Sequence, residues 1–186
     1  NNIDITNAKL ADDLIEFFND RFKNLLKDKN LRLDVVDSVL FKNRSDDFYS
    51  LFLKITTIAK HIKKTEGMNA IATYKRAKNI LEQNEQIIKD TIFGNPDVVL
   101  FNSEIEETLL VKINEIKDYF TTPSRLRDSA KTIQMLSEVK LITDQFFEEV
   151  KVNDDNEDVK KNRLELLLLM CKTFDNFTDF SKFEGA

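Results

Sequence analysis

The stretch Ser103-Glu104-Ile105-Glu106-Glu107-Thr108-Leu109-Leu110-Val111-Lys112-Ile113-Asn114-Glu115-Ile116 decides the fold. Ser103 followed three residues later by Glu106 has the spacing of a capping box. In that motif the serine hydroxyl and the glutamate carboxylate satisfy each other's free backbone N–H groups at a helix start. Ile105, Leu109, Ile113 and Ile116 then recur every three or four residues, which places them on one face of a helix.

The same period runs outward in both directions. Leu10, Leu14, Phe17, Phe18, Phe22, Leu25 and Leu26 form one amphipathic helix, and Phe48, Leu51, Phe52, Ile55, Ile58 and Ile62 form another. Between them Val35, Val36, Val39 and Leu40 mark a short helix that Asp34 can cap, and Ser45 can cap the longer one. Thr65-Glu66-Gly67 is the expected break, after which Asn69 opens a helix with Ile71, Tyr74, Ala77, Ile80 and Leu81 inside. Gly94-Asn95-Pro96-Asp97 reads as a loop. Thr122-Pro123 supplies an N-cap and a first-turn proline for a helix carrying Leu126, Ala130, Ile133 and Leu136. A break is expected near Ser137–Lys140, then a short apolar face of Phe146, Phe147 and Val150. Past the acidic turn Asn153–Asp158 comes a last long helix with Leu164, Leu167, Met170, Cys171, Phe174 and Phe177 inside.

Composition agrees. The 186 residues include three glycines and two prolines, where average usage would give roughly 13 and 9. Hairpins and tight turns draw on those residues, so a β-rich fold is excluded. The expectation is an all-α helical bundle of about eight helices. Residues 1–66 would form an N-terminal helical segment and residues 67–186 a second helical unit of about five helices, with no Pro/Gly/Ser linker between them.

The catalytic inventory is thin. Gly67, Gly94 and Gly185 stand too far apart for a phosphate cradle. His61 is the only histidine, in the basic run Lys60–Lys64, and reads as a solvated surface group. Cys171 is the only cysteine and sits at helix-interior spacing, so it reads as a buried thiol. Asp46-Asp47, Glu148-Glu149 and Asp154-Asp155 with Glu157-Asp158 are acid pairs, two of them where helices should start and the macrodipole favours them. No catalytic residue, metal site or cofactor site is expected in this stretch. The longest apolar run, Leu166–Cys171, is far below the roughly 18 residues that span a bilayer. No secretory signal opens the chain, and a start at Asn1-Asn2 without Met points to a piece of something longer.

Charge sets the remaining question. Lys and Arg number 28 against 33 Asp and Glu, a net of −5, which argues against a general nucleic-acid binder and leaves room for a local basic patch. Three basic groups stand out: Lys75, Arg76 and Lys78 with Asn79; Arg125 and Arg127 with Lys131; and Lys160 and Lys161 with Asn162 and Arg163. They read either as solvated helix faces or as a composite surface for a nucleic-acid backbone. Phe101, Tyr119 and Phe120 lie near loops, where stacking on unpaired bases competes with core packing.

Several segments, in order, carry a family resemblance. They are Phe17–Lys23, Asp34–Leu40, Tyr74–Leu81, Leu100-Phe101 with Glu106 and Leu109, Asp144–Val152, Asn162–Leu167 and the ending Asp179–Lys182. Together they resemble the C-terminal region of bacterial glycyl-tRNA synthetase β subunits. Departures are Ser38 where Ala is usual, Leu110 where Tyr is common, and Lys140-Leu141-Ile142 before the Asp-Gln-Phe-Phe stretch.

The resemblance implies that the second unit is similar to the helical anticodon-binding domain of arginyl-tRNA synthetases. It implies a cytoplasmic bacterial enzyme that joins glycine to tRNA(Gly) using ATP and magnesium, assembled as α2β2 with the aminoacylation site in the α subunit. This stretch would then be the non-catalytic, RNA-reading end of that ligase, with no membrane role. Expected RNA contacts are Lys75, Arg76, Lys78 and Asn79 in one group, and Arg125, Arg127, Asn162 and Arg163 in the other. Asn162 and Arg163 equally suit a structural role, capping or tying helices. The competing reading is a helical scaffold that holds synthetase subunits together without touching RNA.

Overall fold

A computed structural model describes residues 8–41, 45–90, 94–123 and 128–184. Regular structure among them is entirely helical: α1 (Ala8–Asp28), α2 (Leu33–Leu40), α3 (Phe48–His61), α4 (Thr65–Gln83), α5 (Glu85–Asp90), α6 (Glu104–Thr121), α7 (Ser129–Glu149) and α8 (Glu157–Asp175). Two 3-10 turns, Val98–Leu100 and Phe180–Lys182, also occur among the described residues. No described helix is long and apolar enough to cross a membrane.

Helix α7 packs against α4, α6 and α3, and α8 lies against α4 and α6. Leu164, Leu166, Leu167, Met170, Cys171 and Phe174 of α8 are all buried, each large apolar side chain contributing about 1.5–3 kcal/mol. Tyr74, Phe174, Phe180 and Phe183 form a chain of ring contacts with centroids 5.3–6.2 Å apart. Of the phenylalanines read from the sequence as apolar-face residues, Phe146, Phe174 and Phe177 are buried, whereas Phe17 and Phe18 are about half exposed.

Residues on both sides of the expected 66/67 boundary contribute to one continuous core. The chain's end returns to α2. Thr178 Oγ1 donates to the Ser38 carbonyl at 2.8 Å and lies 3.0 Å from Ser38 Oγ, and the Asp179 N–H donates to the same carbonyl at 2.9 Å. Two of these bonds use the backbone carbonyl that any residue would offer, and the 3.0 Å contact uses the buried hydroxyl that departs from the usual alanine. Arg32, which pairs with Asp34, also donates to the Glu184 carbonyl at 3.1 Å, and Asp34 accepts from the Glu184 N–H at 3.1 Å.

The capping box at Ser103 is present. Glu106 Oε2 accepts from the N–H groups of Ser103 at 3.0 Å and Asn102 at 2.8 Å. Elsewhere several helix starts differ from expectation. Helix α2 has Arg32 at its N-cap with no side-chain bond, and Asp34 sits inside the first turn. Asp47, not Ser45, caps α3, because its carboxylate accepts from the Ser50 N–H at 2.9 Å, while the Ser45 hydroxyl accepts from the Asp47 N–H one step before the helix. Helix α4 opens at Thr65 rather than Asn69. Gly67 does not break the helix but lies buried in its first turn. A Cβ there would stand 2.5 Å from the His61 carbonyl oxygen and from Ile62 Cα, so the glycine permits close approach to the end of α3.

Two expectations about α7 are corrected. Thr122 ends α6 instead of starting α7. The N-cap is Asp128, whose carboxylate accepts from Ala130 at 2.8 Å and Lys131 at 3.3 Å. The expected break at Ser137–Lys140 is absent, since Ile133, Leu136, Val139, Thr143 and Phe146 carry one buried stripe straight through it.

Candidate nucleic-acid interface

The outer side of α4 is built by the same period that buries Tyr74 and Ala77. Met68, Ala72, Arg76 and Asn79 are exposed there, with Lys75 and Lys78 half-buried at the edges. Arg76 lies across the groove between α4 and α7. Its Nη1 is 3.2 Å from Asp144 Oδ1, and its guanidinium lies over the Phe147 ring, 4.3 Å from the centroid. Lys140 pairs with the same Asp144 one helical turn away. Two cations therefore share one carboxylate, which leaves a local positive excess. Lys140 was missed in the sequence because the expected helix break concealed its place on the same helix face as Asp144.

Lys78 faces a different setting. It lines a cleft of about 480 Å³ with Tyr74, Asp175 and Asp179. Burial and then the Asp175 carboxylate push the Tyr74 hydroxyl well above its ordinary value. This phenol is thus a neutral, buried group.

Arg125 and Arg127 lie outside the described residues. The helix that follows them starts at Ser129, and Lys131 in its first turn stands 5.2 Å from the Tyr119 ring centroid. Tyr119 Oη also accepts from the Asp128 N–H at 3.1 Å. Phe101 and Phe120 are half-buried against the core. At about 1.5 Å per residue, Asp144 is roughly 22 Å along α7 from Ser129.

Asn162 and Arg163 belong to the interior. Asn162 is 2% exposed; its Oδ1 accepts from the Asp97 N–H at 2.6 Å and its Nδ2 donates to the Asp97 carbonyl at 2.9 Å. Arg163 is 5% exposed and donates to Glu106 Oε1 at 2.9 Å, Asp154 Oδ2 at 2.7 Å and the Lys151 carbonyl at 3.0 Å. Burial disfavours the cation, yet its bonds to Glu106 and Asp154 outweigh that and raise its affinity for the proton. These two residues tie the start of α8 to α6 and to the Gly94–Asp97 loop, a structural role in place of the expected RNA contact. They stand near the end of α7 opposite Ser129, while Arg125 and Arg127, the other members of the second expected group, lie outside the described residues. Lys160 and Lys161 are half-buried in the first turns of α8.

The remaining chemistry-bearing groups are quiet. Burial and then Asp175 push the Cys171 thiol up to about 12. Asp47 caps α3, while Asp154 is held below its usual range by the Asn156 N–H and then by Arg163.

Residues 70–180 match the family model of the DALR anticodon binding domain, well over half of the chain. The chain belongs to this anticodon-binding domain family. Its relatives carry a more particular name. It is 31% identical over 175 residues to the glycine–tRNA ligase beta subunit of Paracoccus denitrificans (strain Pd 1222), covering 94% of this chain and 26% of that protein. The corresponding subunit of Ruegeria sp. (strain TM1040) is 33% identical over 176 residues, covering 93% and 25%. That of Sulfurihydrogenibium sp. (strain YO3AOP1) is 31% identical over 186 residues, covering 99% and 26%. The chain spans about a quarter of the length of these curated relatives.

Proposed function

We propose that this chain reads the anticodon loop of tRNA(Gly) as the non-catalytic end of a glycine–tRNA ligase β subunit. The match of residues 70–180 to an anticodon-binding family carries this reading. In it, the intact subunit works with an α subunit, as α2β2, in the bacterial cytoplasm. ATP and magnesium are used at the aminoacylation site of that partner.

The RNA contacts fall on the α4–α7 groove. Lys75, Arg76 and Lys140 neutralise phosphates of the loop, and the Asn79 amide offers both a donor and an acceptor to a base edge. The Arg76 guanidinium carbon lies 4.3 Å from the Phe147 ring centroid, and its exposed side is offered to an unstacked base.

Titration of tRNA(Gly) against the chain at several salt concentrations tests the proposal. Three phosphate contacts give a log–log slope of about −2, from roughly −0.7 per phosphate on a single strand. Arg76→Ala reduces that slope and weakens binding by about 1–3 kcal/mol through lost stacking. Absence of binding at low salt, with the full-length subunit binding normally, refutes direct reading by this chain.

A further inference from the structure

Helix α1 carries more apolar surface than its own fold uses. At about 100° per residue, its apolar residues cover an arc of roughly half the helix. One side of the arc, Phe22 and Leu26, packs inward: Leu26 is fully buried, and Phe22 lies edge-on to Phe48 of α3 with centroids 5.3 Å apart. The other side holds Leu10, Leu14, Phe17, Phe18 and Leu25, each between 43% and 52% exposed. Arg21 lies over the Phe17 ring at 4.7 Å and interrupts this stripe without covering it. Scattered exposed apolar residues are ordinary, whereas five on one helix face form a contiguous patch that marks an interaction site.

We infer that this stripe is the docking face for the remainder of the same polypeptide. The inference rests on reading the chain as part of a longer synthetase subunit. The relatives match it from 93% to 99% of its length yet are about four times as long. The stripe's size selects a tethered occupant over a free one. A stable complex between separate proteins buries about 800 Å² and 20–30 residues on each side, and five half-exposed side chains fall well short. A segment joined covalently meets the stripe at an effective concentration in the mM range for a short tether, so a small apolar contact suffices in cis.

Hydroxyl-radical footprinting of the full-length chain tests this. Leu141 on α7 and Val99 in the Val98–Leu100 turn, 79% and 84% exposed, serve as internal references. Docking in cis predicts that Leu14, Phe17, Phe18 and Leu25 are oxidised at least about fivefold more slowly than these references. That protection does not change with chain concentration or on adding another protein. Phe17→Asp with Leu25→Asp, both on the exposed side, restores labelling at Leu14 and Phe18 while far-ultraviolet circular dichroism stays constant. Labelling in proportion to exposure overturns the inference. Protection that appears only at high chain concentration, or only with another protein present, also overturns it in favour of a second copy or a separate partner. Binding of tRNA(Gly) by the same double variant separates the two readings: retained binding with lost protection leaves RNA reading intact, and lost binding with retained protection does the reverse.

Discussion

Replacing Arg163 by Ala should cost folding stability and leave RNA affinity unchanged. The guanidinium reaches three oxygens, on Glu106, Asp154 and Lys151. Glu106 is fully buried, and without Arg163 its carboxylate keeps the two backbone N–H groups of Asn102 and Ser103. Breaking a buried ion pair from one side strands a charge and costs about 3–5 kcal/mol. For a chain of this size each kcal/mol lowers Tm by roughly 2–4 °C, so the expected fall is about 6–20 °C by calorimetry.

A double-mutant cycle sharpens the test. Arg163→Met alone strands the Glu106 carboxylate, and Glu106→Gln alone turns a neutral amide towards a buried cation. The double variant removes both charges and should recover a large part of the loss, with a coupling of about 2 kcal/mol or more. Binding of tRNA(Gly), measured well below the melting range, should keep its salt slope. A Tm within about 2 °C of the parent, together with a slope shallower by about 0.7, would refute the structural assignment and return Arg163 to the RNA surface.

Gly67→Ala should destabilise the chain by roughly 3 kcal/mol, because the clashing atoms are backbone and cannot swing aside; an unchanged denaturant midpoint would show that α3 and α4 can separate cheaply. Asn162→Leu should free the Gly94–Asp97 loop and speed exchange at the Asp97 N–H, with a loss of about 1–3 kcal/mol from unpaired backbone groups. Cys171, its thiol pushed up to about 12 by burial, should react with a disulfide reagent at pH 8 only at the rate of unfolding. Asp34 lies below its ordinary value, because bonds from Arg32 and the Glu184 N–H outweigh the opposing effect of burial. A lowered folded value stabilises above the unfolded one, near 4, and is lost as pH falls through the folded one. Exchange at the Glu184 N–H should therefore accelerate below about pH 4 in the parent and at neutral pH in Asp34→Asn.

Helices were legible wherever apolar period and cap chemistry agreed, as at Ser103 with Glu106. They were misread where a local signal competed with a long-range contact. Gly67 looks like a stop because glycine usually ends helices; only the approach of the α3 terminus, remote from any local pattern, explains it within a helix. Thr122-Pro123 has the chemistry of a helix start, yet Asp128 caps α7 through two N–H groups. The site was half legible for the same reason. A run such as Lys160–Arg163 shows charge but not the direction of each side chain. Asn162 and Arg163 turn inward because Asp97, Glu106 and Asp154, up to 65 residues distant, offer matching partners. The reverse error hid Lys140, which gains its neighbour Arg76 only when α4 packs on α7.

These placements change how an acidic chain can hold RNA. With Arg163 internal and Lys78 beside Asp175 and Asp179, the cations left on the α4–α7 groove are few, and Arg76 and Lys140 divide one carboxylate between them. Affinity from phosphate contacts alone is then small and steeply dependent on salt. In the proposed RNA-reading role, discrimination then rests on shape, stacking on Arg76 and hydrogen bonds at base edges, which tolerate salt better. A surface of that kind gains most when the RNA is already held elsewhere on the same molecule, because a second contact made in cis is strengthened by effective concentration without any new charge. The apolar stripe of α1 supplies the matching requirement, since a reader that depends on contacts made elsewhere must be fixed relative to them. A rigid helical chain with three glycines and two prolines in 186 residues suits that task, for it can transmit the position of α1 to the α4–α7 groove through one continuous core.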